Sequence, residues 1–270
     1  MLKKILAVIA LVAIVIVGTV TYLYLKPTAT ASQPIEAIPL GVQTDSAINA
    51  TPSEATITDE TIDITEDVTE SVSEDVAEAM IEESITTATT ESSVVLFEII
   101  SSESEARFII DEVLNGTPAT VVGTTDQVAG QLAVDTANVD NTQIGVIQIN
   151  ARTLTTDNNF RNLAIGNRIL YTDDHEYITF TPTAISGLPE NVNVGDAFTF
   201  QITGDLTIRE VTEQVTFDMQ VTAVDEDRLV GSAATTIQYA DFDINIPTVP
   251  SVTDVSDTVS LEFDFVAGAI

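Results

Sequence analysis

"GDLTIREVTEQVTFDMQVTAV", residues 204–224, is the stretch on which the fold turns. Leu206 and Ile208 alternate with Asp205, Thr207 and Arg209, and Val215, Phe217, Met219 and Val221 alternate with Gln214, Thr216, Asp218 and Gln220. A period of two sends successive side chains to opposite faces, so both arms read as half-buried strands. Glu210-Val211-Thr212-Glu213 between them is expected to be the turn. The apolar face of this hairpin has to cover either a packed core or a lumen.

The same alternation extends outward from the hairpin. Strands are expected at Val95–Ile100, Ala106–Glu112, Val128–Val134, Thr142–Asn150, Tyr177–Ser186, Ala197–Thr203, Asp205–Arg209, Val215–Val224, Arg228–Tyr239 and Thr258–Ala267. Many short strands separated by turn signals point to an all-β sandwich or barrel. Asn115-Gly116 is a hairpin signal after Glu112. Only "NFRNLAIGNRIL", Asn159 to Leu170, reads as helical or irregular. Residues 94–270 therefore form the folded domain.

Upstream the composition changes twice. Ile5 to Leu25 is 21 residues without a charge, and a helix of that length spans a ~30 Å hydrocarbon core. Residues 1–26 are expected to be a transmembrane anchor, with a cleaved signal peptide as the alternative because Ala29-Thr30-Ala31 offers a cleavage site. Lys3 and Lys4 outweigh Lys26 and hold the N-terminus in the cytoplasm, which leaves the remainder extracytoplasmic. Residues 27–93 are an acidic, Thr/Ser/Glu-rich linker without an aromatic residue, too poor in apolar area to fold alone. Residues 32–93 hold fifteen acids and no base, so self-repulsion favours an extended, salt-sensitive spacer. Ile64, Val68, Val72, Val76 and Met80 recur every four residues, as on one stripe of a frayed helix.

Charge and residue usage exclude several functions. With 42 acidic against 9 basic residues the net charge is −33, which repels nucleic acid. No cysteine is present, so disulfides, thiolate metal sites and a cysteine nucleophile are excluded. His175 is the single histidine and lies in an expected loop, with no serine and carboxylate spaced to complete a triad and no second ligand for zinc. Asp241, Asp243 and Asn245 resemble the start of a calcium loop, but Ile246 and Val252 stand where Gly and Glu are required, so they read as the outer face of an edge strand. The sequence calls for no cofactor and no metal.

"INARTLTTDNNFRNLAIGNRIL" (149–170), "HEYITFTPTAI" (175–185) and "GDLTIREVTEQVTFDMQV" (204–221) stand in the order and spacing of the YceI-like, polyisoprenoid-binding family, and the chain resembles that family over roughly Phe97 to Ala267. The resemblance implies a lipocalin-like antiparallel β-barrel with one short helical segment, whose interior holds an isoprenoid or other long-chain lipid. It further implies that Phe108, Phe160, Leu163, Ile169, Ile178, Phe180, Phe200, Leu206, Ile208 and Phe217 face that interior. Arg161 and Arg168, seven residues apart near the expected barrel mouth, are candidates for a pyrophosphate or carboxylate head group, or else for salt bridges to acids such as Asp157 or Asp173.

Departures from the family pattern sit at the polar positions. Glu103-Ser104 keeps the Ser but not the His of the usual pair, Arg161-Asn162 replaces Arg-Asp, His175-Glu176 replaces aromatic-Pro, and Glu210 replaces the hairpin glycine. Val113–Thr125 is longer than the family's hairpin. The expected function is thus a membrane-tethered extracytoplasmic lipid-binding protein; a structural or adhesive barrel filled by its own side chains is the alternative. No nucleophile and base are arranged for an enzyme.

Overall fold

The computed structural model describes residues 13–19, 21–22, 26–41 and 94–270. Most of the expected anchor Ile5–Leu25, the linker beyond residue 41 and the Ile64–Met80 stripe lie outside the described residues. Residues 13–19 and 21–22 are helical. Among the described residues no helix is long and apolar enough to cross a membrane.

The folded region is one strongly curled antiparallel sheet of thirteen strands with a single short helix. Its main path pairs β4(Val128–Ala129), β7(Ile147–Asn150), β8(Tyr177–Ser186), β9(Ala197–Ile208), β10(Val211–Asp225), β11(Arg228–Gln238), β13(Thr258–Ala269), β1(Val94–Ile99), β5(Gln131–Asp135) and β6(Gln143–Ile144) in that order. The first half of β13 also pairs β2(Glu105–Leu114), which pairs β3(Thr117–Thr125) and the short β12(Val252–Thr253). One long strand thus serves three partners, β11 on one edge and β2 and then β1 on the other, and the sheet curls into a barrel-like shell around the apolar faces.

The opening stretch is the centre of this shell. β9 and β10 pair from Ile208↔Val211 to Ala197↔Thr222, so the turn is tighter than the sequence suggested. Arg209 and Glu210 alone form it, and Val211 already belongs to a strand. Arg209 adopts a left-handed φ of 58° and is held there by bonds from its guanidinium to the carbonyls of Ile169 (3.2 Å) and Asp243 (3.4 Å) and by packing over the Tyr171 ring.

The two segments expected on either side of Gly204 are one strand. Gly204 faces inward, and a Cβ there would lie 2.7 Å from Cζ of Phe180. The glycine gives that ring room and does not break the strand. Val128–Val134 and Thr142–Asn150 are in turn each divided, into β4 with β5 and β6 with β7. The hairpin at Asn115-Gly116 is present, both residues having positive φ. Asp241 lies in a 3₁₀ turn, Tyr239–Phe242, with Asp243 at its left-handed C-cap, so these acids are not on an edge strand.

Residues 26–41, with Lys26 assigned to the anchor and 27–41 by composition to the linker, run along the shell as a strap without regular secondary structure. Asn167 donates to the Lys26 carbonyl (2.7 Å), Lys26 pairs with Asp173, and the Ala29 amide donates to Asp173 (2.9 Å). Both the amide and the hydroxyl of Ser32 donate to Glu176. Arg152, itself paired with Glu176 at 2.7 Å, donates to Ser32 Oγ and the Thr30 carbonyl. At the far end the Leu40 amide donates to Gln131 Oε1 (2.9 Å), and the same side chain donates to Glu98 of β1 (2.8 Å). The strap and residues 94–270 fall in one compact unit.

Candidate functional site

The inward faces of the strands enclose a cavity of about 740 Å³, within the usual range of small-molecule sites. Its wall is built by period two. On β9 Phe198, Phe200, Ile202, Leu206 and Ile208 point in, and on β10 Phe217, Met219, Val221 and Ala223 do so. β13 adds Val259, Leu261, Phe263 and Phe265.

One end is sealed. Asn158 caps the helix Asn159–Ala164 by accepting from the amides of Phe160 and Arg161, and a π-helical turn, Ile165–Ile169, continues it. Ile165 and Leu170 pack there against Leu206, Ile208, Ile237, Ile244 and the fully buried Phe242. The other end lies between the β8–β9 connection and the β10–β11 turn. Val194 of that connection lines the cavity although it is 58% exposed, so the lumen reaches solvent there.

Two glycines explain how the wall stays thin. A Cβ at Gly123 would meet Cε1 of its cross-strand partner Phe108 at 2.1 Å, and one at Gly231 would meet Cζ of its partner Phe265 at 2.6 Å. Each ring occupies the space of a missing side chain, lies along the sheet and leaves the lumen open. Phe180 packs edge-on against Phe217, with centroids 5.1 Å apart.

Of the residues expected to line the interior, Phe108, Ile169, Ile178, Phe180, Phe200, Leu206, Ile208 and Phe217 do. Phe160 and Leu163 do not, and Phe160 is 73% exposed. The helix presents Arg161, Ile165 and Ile169 to the lumen, at intervals of four. That stripe leaves Phe160 and Leu163 on other faces.

Arg161 is in the wall, but its guanidinium is committed to Glu112 (3.0 Å) and Asp157 (2.5 Å). It is therefore a salt-bridged residue, as the acid-rich composition also allowed, and Arg168, which makes interactions of its own, is not in the wall. Glu112, only 9% exposed and inward-facing, was missed because it ended an apolar strand. Thr142 was also missed; it lines the cavity and carries a buried hydroxyl with no hydrogen-bond partner among the described residues. Ser104, the retained half of the family's early pair, donates to the Ile100 carbonyl (2.9 Å) and accepts from the Val266 amide (3.1 Å), which makes it a staple between β13 and the turn before β2.

A curled antiparallel sheet with one short helix and an apolar lumen defines a lipocalin-like cavity protein. Residues 97–267 match the YceI-like domain, and the chain belongs to that family. Among solved structures it is similar to a polyisoprenoid binding domain from Saccharophagus degradans implicated in plant cell wall breakdown. That match has 16% identity and a TM-score of 0.52, over 65% of this chain and 99% of the other. It is also similar to BcnA from Burkholderia cenocepacia, with 18% identity and a TM-score of 0.50 over 62% and 98% of the two chains. No curated protein gives a match.

Proposed function

We propose that this protein binds an isoprenoid or other long-chain apolar molecule in its lumen, tethered to a membrane on the extracytoplasmic side, and carries out no catalysis. The observation that carries the reading is the apolar cavity of about 740 Å³ at the centre of the shell. A barrel serving only as a structural module would fill that space with its own side chains. Each buried CH₂ contributes about 0.8 kcal/mol, so a long chain needs little polar recognition. The similar domain from Saccharophagus degradans, described as polyisoprenoid binding, supports the ligand class. The tether rests on the uncharged run Ile5–Leu25 and its flanking lysines.

Mass spectrometry of organic extracts from the purified full chain should find a co-purifying lipid, and the stripped protein should take up a fluorescent isoprenoid. A clean extract together with no uptake overturns the reading. The absence of cysteine makes the orientation simple to test, because Glu190→Cys in the β8–β9 connection is then the single thiol. A membrane-impermeant maleimide should label it on intact cells; protection until lysis would refute the outward placement.

A further inference from the structure

We infer, resting on the lipid-binding reading, that the cavity selects an uncharged ligand, a chain ending in a hydroxyl or carbonyl, and rejects the same chain carrying a diphosphate or carboxylate. Among the described residues Glu112 and Arg161 are the charged side chains facing the lumen, with Asp225 and Glu226 at its rim, one base against three acids, while Arg107 and Glu262 border the cavity but pair with each other on the outward phase of β2 and β13. Neither arginine is available to an anion. Arg107 is bonded to Glu262 (2.7 Å), Asp264 (2.5 Å) and Glu105 (3.2 Å). Arg161 is shared between Glu112 and Asp157.

A phosphate reaching Arg161 would either share its guanidinium with Glu112, setting two anions side by side in the wall, or displace Glu112 and strand a buried carboxylate. Asp225 and Glu226, at the β10–β11 turn, add negative charge where the lumen approaches solvent. An anionic head group thus meets repulsion at that end and a neutralised arginine at the other. An uncharged head group meets neither. It also finds the Thr142 hydroxyl, buried and with no partner among the described residues, which a ligand hydroxyl or carbonyl can satisfy.

Geranylgeraniol and geranylgeranyl diphosphate, competed against a bound fluorescent isoprenoid on the full chain, separate the possibilities. The alcohol should bind at least about tenfold more tightly than the diphosphate. Added salt should improve diphosphate binding, since it screens repulsion. Glu112→Gln should narrow the gap by raising diphosphate affinity, and Asp157→Asn, whose side chain is 85% exposed and lies outside the wall, should act in the same direction without endangering folding. Thr142→Val should lower affinity for the alcohol. Equal or tighter binding of the diphosphate, weakened by salt, overturns this inference and leaves lipid binding standing. Failure of both ligands and of the probe to bind overturns the lipid-binding reading and this inference with it.

Discussion

Phe180 and Phe160 are the same amino acid placed to opposite effect. Phe180 lines the lumen edge-on to Phe217, with Gly204 opening space beneath its ring. Phe180→Trp extends into the cavity, so it should weaken uptake of a fluorescent isoprenoid while costing under about 1 kcal/mol, against the roughly 1–3 kcal/mol of an overpacked core. A loss in the larger range, read from the denaturant midpoint, would show that the site is packed. Phe160 projects outward. Phe160→Ala should therefore shift stability by less than about 0.5 kcal/mol and leave uptake unchanged. The phase of Phe180 was legible because alternation couples directly to the pleat of its strand. A six-residue helix contains too few turns to show which face is buried, and an arginine within the inward stripe hid it.

Among the elements, the β11–β13 pair shows what holds the shell open. Its register sets Gly231 opposite Phe265. A Cβ at Gly231 would also stand 2.8 Å from the Gln220 carbonyl, which belongs to the neighbouring backbone and cannot turn aside. Gly231→Ala should cost roughly 1–3 kcal/mol and reduce uptake as the Phe265 ring is displaced; an unchanged urea midpoint would contradict this account of the wall. The strand order could not be read from the sequence, since β13 pairs β11 on one edge and β2 and then β1 on the other, and β1 lies between β13 and β5. Most strands were legible, but β3 was not among those expected, only the Asn115-Gly116 turn that leads into it. Gly204 was read as an interruption because the ring it accommodates lies on another strand.

At the scale of the whole molecule, the strap is the feature composition concealed. Its contacts are polar, an ion pair and hydrogen bonds from and to its backbone and Ser32, which leave no hydrophobic period. Lys26 and the Ala29 amide hold the Asp173 carboxyl below the ordinary carboxylate value. Desolvation pushes Glu176 upward, but Ser32, Asn150 and Arg152 outweigh it and hold it low as well. Both groups are depressed in the docked state, so their contribution is present above the unfolded values near 4 and is lost as pH falls through the lower, docked ones. Lys26 is raised by the same Asp173 pair, so its share persists until pH rises beyond the ordinary lysine range. Hydrogen-exchange protection of the Ala29 and Ser32 amides should therefore hold at neutral pH and fade below about pH 4. Protection that persists at pH 2 would mean that these carboxylates do not hold the strap.

Because the far end of the strap meets Glu98, near the end of β1, through the shared side chain of Gln131, the acidic residues between strap and strand in the sequence connect two parts of one folded unit. A proteolytic cut within residues 42–93 would convert an intramolecular contact, favoured by an effective concentration in the millimolar range, into an association between two fragments. Cleavage alone would then leave the shell attached to the N-terminal piece. Detachment would require the cut together with dilution or acid, and a single nick would be silent until the second condition arrived.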